Sequence, residues 1–207
     1  MATPVEADPV PQAWPRPPFT VDTLFELPDT GLRYEVLEGA LVVVPPPEPI
    51  HNLAADRLRE RLVAHLAAEV EAITNAAVRM PAGDGPVPDI LVTTGDPAEH
   101  PRGFPADLVH TVIEVVSPSN ASDDRVKKAA LYAGAGIPCY WRVELRSWRE
   151  HFGPVPAIVV RLLGDDGEWH TTLHPAGETH RLPVVVDRTP AIVPIEIDPA
   201  VLVGRRR

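Results

Sequence analysis

One acidic residue lies inside a strongly apolar stretch of this chain. Glu114 is the third residue of the run VIEVV at 112–116, which is apolar enough to be a central strand covered on both faces of a sheet. Acidic side chains are almost never fully buried without a partner, and an unpaired buried carboxylate costs several kcal/mol. The sequence therefore predicts a cation beside Glu114, which is either a lysine, an arginine or a metal ion.

A second carboxylate begins another apolar run, PDILVT at 88–93. If the loop that follows is a long hairpin, Asp89 and Glu114 lie on adjacent strands, where two carboxylates can bracket a hard cation such as Mg²⁺. The helix after Glu114 carries Lys127 and Lys128, the only lysines of the chain. The simpler alternative is that Glu114 pairs with one of these lysines and that Asp89 is an ordinary turn residue.

The order of the apolar patterns predicts an α/β fold with a mixed sheet and a β-rich C-terminal extension. The predicted elements are a short helix at 21–27 capped by Thr20, a hairpin at 32–44 that turns at Glu38-Gly39, a long amphipathic helix at 51–71, strands at 72–79, 88–93, 108–117 and 139–143, a helix from Asn120 or Ser122 to about Gly134, and a C-terminal antiparallel meander at 157–163, 169–173 and 182–186.

The same patterns divide the chain into three parts. Residues 1–18 contain six prolines and little apolar pattern, which indicates a disordered leader. Residues 19–203 are predicted to form a single domain, and residues 204–207 a solvated basic tail.

Composition excludes several kinds of protein. A single cysteine, Cys139, permits neither an internal disulfide nor a cysteine zinc cluster, which fits a reducing cytoplasm. The net charge of −10 argues against a broadly basic nucleic-acid coat, although a local strip of arginines remains open. We expect no membrane helix and no signal peptide, because no apolar run approaches the ~18 residues of a bilayer span.

Several motifs follow one another in an order that is typical of one protein family. They are YEVLEG at 34–39, the prolines before His51, PDI at 88–90, IEVVSPS at 113–119, Asp124, Lys128 and Tyr132, GIP at 136–138, and Tyr140-Trp141. This order resembles the Uma-two family of restriction-endonuclease-like proteins, within the PD-(D/E)XK nuclease superfamily, over roughly residues 20–185.

The resemblance implies a restriction-endonuclease-like core, in which a central mixed β-sheet is flanked by helices. It also implies that Asp89 and Glu114 are catalytic metal ligands. The superfamily places its lysine two residues after the acid, where this chain has Val116. In this family the next helix supplies the lysine, and Lys128 fits that position, with Lys127 as the alternative.

Three further residues are candidate accessory groups. Glu35 and Glu38 match acidic positions of the family's N-terminal hairpin, and each either orients a metal-bound water or is solvated. His51 either donates to a phosphate or carboxylate, or is a capping or surface histidine. Tyr132 and Trp141 are interpreted as core aromatics, because both lie in apolar elements.

The resemblance implies a Mg²⁺-dependent endonuclease that hydrolyses DNA phosphodiester bonds through a metal-activated water, with Mn²⁺ as a substitute. A homodimer is expected, because cutting two strands usually takes two sites. The first alternative is a catalytically inactive nuclease-like module that binds nucleic acid or protein. The second is a different metal-dependent hydrolase that uses the same residues.

Overall fold

A computed structural model describes residues 14–29, 31–117, 126–189 and 191–205. In chain order its elements are β1 (Arg33–Leu37), β2 (Ala40–Val44), α1 (Pro49–Val63), β3 (Glu71–Thr74), β4 (Val78–Arg79), β5 (Ile90–Thr93), β6 (Phe104–Pro105), β7 (Val109–Val116), α2 (Lys128–Gly134), β8 (Cys139–Glu144), β9 (Ala157–Leu163), β10 (Trp169–Pro175), β11 (His180–Val185) and β12 (Ile192–Ile197). Short 3-10 helices cover Val21–Phe25, Ala106–Leu108 and Pro199–Leu202.

A mixed sheet forms the centre of the fold. Within the described residues, six strands lie in the order β10-β9-β8-β7-β5-β3. β7 and β8 run parallel, whereas the other neighbouring pairs of this sheet are antiparallel. The predicted α/β class with a central mixed sheet is confirmed.

The central sheet is covered on both faces. α1 and the ribbon of β11 and β12 pack on one face, where the buried side chains include Leu58, Trp141 and Ile195. α2 and the short parallel pair of β4 and β6 pack on the other face, with Tyr132 and Tyr140 in the core. All eight residues of β7 are buried, as a strand covered on both faces requires. No helix among the described residues has the length and apolar character that a bilayer span needs.

The predicted adjacency of the two acidic strands is correct. β5 pairs with β7 antiparallel, with Ile90 opposite Ile113. Asp89 directly precedes β5 and therefore lies beside the carboxyl-terminal end of β7. Glu114 alternates with Ile113 and Val115, which belong to the α1 core, so its side chain points to the opposite face, towards α2.

The N-terminal hairpin is joined to the loop before β5. β1 and β2 turn at Glu38 and Gly39, both with positive φ (53° and 70°), which is the geometry of a two-residue hairpin turn. Val36 exchanges two backbone hydrogen bonds with Gly85, N to O at 3.1 and 2.9 Å. This bridge brings Glu35 of β1 to the end of the central sheet.

Some predicted elements have different bounds. The helix predicted at 51–71 is α1, which ends at Val63 because the chain must turn before Glu71 starts β3. The strand predicted at 72–79 is divided into β3 and β4. Between them Asn75 has a φ of 55°, a left-handed conformation that interrupts an extended strand.

The C-terminal meander is also different. β9 and β10 pair antiparallel as predicted, but β11 pairs with β12, a strand that the sequence analysis missed. Pro183 lies opposite Pro194 in this ribbon, and a proline in an apolar run argues against a strand when only the sequence is read. The start of the helix predicted at Asn120 or Ser122 lies outside the described residues, as does most of the predicted leader.

A buried threonine attaches the ribbon to the sheet. Thr111 of β7 donates its hydroxyl to the Val185 carbonyl at 2.8 Å and accepts from the Val185 amide at 3.1 Å. We expect Thr111→Val to lower the free energy of unfolding by about 1–3 kcal/mol, because two buried backbone groups lose their partner. Thr171→Val, on an exposed position of β10, should stay within about 0.5 kcal/mol of wild type. Urea denaturation of both variants measures the difference, and equal values would contradict this account.

Candidate functional site

A buried lysine joins two carboxylates at the end of the central sheet. The ammonium of Lys128 donates to Glu35 Oε1 and to Glu114 Oε1, each at 3.0 Å. All three side chains are 4–5% exposed. Each comes from a different element, namely α2, β1 and β7. The cation beside Glu114 in this structure is therefore a lysine, and it satisfies a second buried acid at the same time.

Tyr132 is a further partner of Glu114 that the sequence analysis missed. Its hydroxyl donates to Glu114 Oε1 at 2.7 Å, so this oxygen accepts from two side chains of α2 that lie one turn apart. Burial, followed by the charges of Glu114 and Glu35, raises the pKa of Tyr132 well above 10, which keeps the hydroxyl a donor. The sequence signal for this contact was that Tyr132 follows Lys128 by four residues, which places both side chains on the same face of a helix. Trp141, by contrast, is a core side chain whose indole donates to the Pro183 carbonyl.

Asp89 is held from two sides. Its Oδ2 accepts a hydrogen bond from the Val115 amide at 2.7 Å and lies 3.2 Å from His51 Nε2. His51 belongs to the first turn of α1, so Asp89 links this helix to the end of β7. Among the described residues, Oδ1 of Asp89 has no hydrogen-bond donor, which leaves this oxygen available to a ligand.

The environment of His51 favours its charged form. Burial by itself lowers the pKa of His51, but the hydrogen bond and charge of Asp89, aided by Val115 and Asn52, outweigh it and raise the pKa above 6.5. The second ring nitrogen, Nδ1, is buried and has no partner among the described residues. His51 therefore acts on Asp89 through one nitrogen only.

Glu35 reaches the site because its strand is fixed to the loop before β5. Its Oε1 accepts from the Val87 amide at 3.0 Å in addition to Lys128. A carboxylate with a backbone donor and an ammonium partner is well compensated for burial.

These groups surround one small cavity of about 30 Å³. Its lining includes Glu35, His51, Asp89, Glu114 and Lys128, together with Arg33, Ser117 and the prolines 45–47. The cavity opens at the end of the sheet where β5 begins and β7 ends. Three carboxylates, one ammonium and one imidazole thus face a space of about the volume of one water molecule.

The donor set of this cavity fits Mg²⁺ and does not fit a structural zinc. Among the described residues, no group of three or more His, Cys, Asp or Glu side chains is arranged to hold a metal ion. Mg²⁺ commonly takes only one or two carboxylates and keeps several waters, whereas structural zinc takes four protein ligands. Asp89 and Glu114, the two carboxylates that the sequence predicts as ligands, both line this cavity.

Two of the predicted site residues lie elsewhere. Glu38 is exposed in the hairpin turn and does not line the cavity. The side chain of Glu35 points into the site from the strand, whereas the turn directs Glu38 to solvent. Lys127 is also exposed, because the residue that directly precedes Lys128 on a helix faces a different direction. Of the two lysines, only Lys128 lines the cavity among the described residues.

The arginines of α1 have structural roles. Arg57, Arg59 and Arg61 donate to main-chain carbonyls, among them those of Val201, Ala72 and Glu196. They attach β3 and the C-terminal segment to the helix. Cys139 is buried, and burial raises its pKa to about 11, so it is not a nucleophile.

Removal of Lys128 should destabilise the fold strongly. We expect Lys128→Met to lower the free energy of unfolding by about 3–5 kcal/mol, because Glu35 and Glu114 lose their shared cation. Adding Glu35→Gln and Glu114→Gln to that variant should recover much of the loss, since neutral amides need no counter-charge. Lys127→Met, one residue away and exposed, is the matched control and should change stability by less than about 0.5 kcal/mol in the same urea titration.

The His51–Asp89 pair should be visible in a pH titration. In wild type we expect the NMR-detected pKa of His51 to lie above 6.5, and in Asp89→Asn to be lower than in wild type, because the charge of Asp89 no longer opposes the effect of burial. Since the folded-state pKa is raised, the stabilisation from His51 is complete below about pH 6.5 and is lost as the pH rises through the folded value. His110, whose pKa burial lowers, is the internal reference and should titrate below 6.5 in both proteins. An unchanged His51 pKa in Asp89→Asn would contradict the assignment.

The fold is similar to that of a solved nuclease-like structure. The crystal structure of a putative nuclease belonging to DUF820, from Anabaena variabilis, aligns with a TM-score of 0.59 over 81% of this chain and 89% of that chain. The sequence identity is 18%, so the likeness concerns the fold. No curated protein matches the sequence significantly.

The sequence itself matches a family profile over most of its length. The profile is that of Uma2, described as putative restriction endonuclease, and it covers residues 21–186. This range contains every residue that lines the small cavity, from Arg33 to Lys128. The chain belongs to the Uma2 family of restriction-endonuclease-like proteins.

Proposed function

We propose that this protein is a Mg²⁺-dependent endonuclease that hydrolyses phosphodiester bonds in DNA. The observation that supports it is the meeting of Asp89, Glu114 and Lys128 at one small cavity, in a chain of a restriction-endonuclease-like family. Two carboxylates and a lysine at the end of a sheet are suited to phosphodiester hydrolysis, in which negative charge develops on the phosphoryl oxygens.

The two acids would be the metal ligands. Asp89 is held by Val115 and His51 through Oδ2, which directs its other oxygen elsewhere. Glu114 is held through Oε1 by Lys128 and Tyr132. Fixed carboxylates of this kind lose little freedom when they bind a cation. A bound Mg²⁺ would polarise a phosphoryl oxygen and make its own water more acidic.

Lys128 would act as a donor beside the reacting phosphate. An ammonium has three donors and no acceptor, so it can orient an oxygen but cannot remove a proton while charged. Lys128 contacts Glu114 from α2. It would thereby replace the lysine that the superfamily has two residues after the acid, where this chain has Val116. Tyr132 would keep the carboxylate of Glu114 in the orientation that faces the cavity.

Nucleic-acid contacts would be local, because the chain carries a net charge of −10. Phosphate contacts other than that of Lys128 would come from arginines near the cavity, of which Arg33 is one. Binding that depends on a few such contacts should weaken as salt increases. Two copies acting together would cut both strands of a duplex, and we extend the proposal to a cytoplasmic homodimer.

Cleavage of DNA tests the proposal directly. Full-length protein is incubated with supercoiled plasmid and with single-stranded DNA in Mg²⁺ or Mn²⁺, beside the variants Glu114→Ala, Lys128→Ala and Lys127→Ala. We expect metal-dependent nicking that is lost by at least about 100-fold in Glu114→Ala and Lys128→Ala, since positioned electrostatic groups contribute that much to rate. Lys127→Ala should cleave like wild type.

Metal binding is measured separately by thermal shift. At a Mn²⁺ concentration of about 100 times Kd, binding to the native state adds about 2.7 kcal/mol of stability. Glu114→Gln should lose this gain, whereas Glu38→Gln, a change of the same kind at an exposed position, should retain it. A Mn²⁺ shift without cleavage would indicate another substrate. Absence of both would favour the inactive binding module.

A further inference from the structure

A second cavity lies beside the small cavity of the candidate site, and the hydrolysis proposed above does not use it. It has a volume of about 260 Å³ and shares two lining residues, His51 and Ser117, with the smaller cavity. Its walls are the start of α1, the carboxyl ends of the parallel strands β7 and β8, and the loop at 145–149. Ligands of open α/β sheets commonly bind at the carboxyl ends of parallel strands.

The two cavities differ in volume, so each can hold a different part of a nucleotide. The smaller cavity, at about 30 Å³, has no room for any part of a nucleotide beyond the reacting oxygens. The larger one is slightly below the range of about 300–1,000 Å³ that holds drug-sized ligands, so it suits a single ring system. The two cavities share His51 and Ser117, so a DNA strand whose phosphate lies at the small cavity would have its next base near the larger one.

The wall chemistry of the larger cavity fits a nucleobase. Val116 and Leu145 provide apolar surface, and Trp148 adds a ring that is 9% exposed. Glu144, at the end of β8, lines the cavity with a carboxylate that is 1% exposed as a residue. Arg142 fixes this carboxylate, with its Nε 2.8 Å from Glu144 Oε1. Because this ion pair is buried, the surface that the cavity offers to a base is mainly apolar.

Exposed charged side chains also line the larger cavity, namely the arginines Arg146 and Arg149 and the acid Glu48. Arg146 pairs with Glu48 at 2.8 Å, but both side chains are about half exposed (58% and 49%), and exposed ion pairs are weak. A phosphate can therefore replace Glu48 as the partner of Arg146. Apolar walls next to two exposed arginines match a base joined to its phosphate.

We propose that this second cavity binds one nucleobase of the substrate strand, next to the phosphodiester at Asp89 and Glu114. The loop at 145–149 is the part of the chain that contacts this base together with the end of β8. This inference rests on the proposed nuclease function for its biological meaning, but base binding can be tested without catalysis.

The test compares two probes that differ only in the base. Full-length protein without metal is titrated calorimetrically with deoxycytidine 5′-monophosphate and with 2-deoxyribose 5-phosphate. We expect the nucleotide to bind at least about tenfold more tightly, as one well-placed base contact provides. Ser147→Trp, which places a large ring in the cavity from an exposed position, should abolish this preference. Ala64→Trp, at an exposed site in a separate groove of about 410 Å³, should preserve it.

The outcomes separate this inference from the nuclease proposal. Preferential binding of the nucleotide, lost only in Ser147→Trp, supports the base site even if the protein cleaves no DNA and binds no Mn²⁺. Equal binding of the two probes, including no measurable heat from either, overturns the base site even if DNA is cleaved. The base site is also overturned if Ser147→Trp binds the nucleotide as wild type does.

Discussion

The buried ammonium of Lys128 is the interaction on which the site depends. It donates to Glu35 and Glu114 at 3.0 Å each, and these three residues come from α2, β1 and β7. Neither carboxylate is exposed enough to be compensated by water, so the hairpin, the central strand and the helix must come together in one arrangement. The charge requirement thus links the N-terminal hairpin to the central sheet, and Tyr132 completes the shell around Glu114.

A second polar pair approaches the same cavity from the other face of the sheet. His51 of α1 holds Asp89, and the Val115 amide holds the same carboxylate oxygen. The two acids are therefore fixed by different helices on opposite faces of the sheet, and they meet where β5 begins and β7 ends. Substituting apolar side chains for buried charged groups often causes no loss of stability, so the fold does not need such groups for stability alone. Their concentration at one cavity, in a restriction-endonuclease-like family, is what supports the nuclease proposal.

Much of the fold was predictable where local pattern decides it. The Glu38-Gly39 turn follows from a local signal and is correct. The sequence placed β5 beside β7 only on the condition that a long hairpin joins them, and the two strands do pair antiparallel. β12 was missed because Pro194 argues against a strand when only the local sequence is considered. In the structure Pro194 lies opposite Pro183 of β11. The end of α1 and the break at Asn75 depend on where the chain meets the sheet, which no local pattern encodes. Tyr132 was interpreted as a core aromatic because hydrophobic pattern does not record what a hydroxyl contacts.

The sequence by itself determined that Glu114 needs a cation, because a carboxylate inside an apolar strand cannot remain unpaired. It also determined the α/β class, since periodicity reflects which faces are buried. Only the tertiary structure decided that Lys128 contacts Glu114, that Glu35 shares this lysine while Glu38 is solvated, and that His51 holds Asp89. These pairings join residues far apart in the chain, and distances across a fold depend on strand order and register, which a single sequence does not specify.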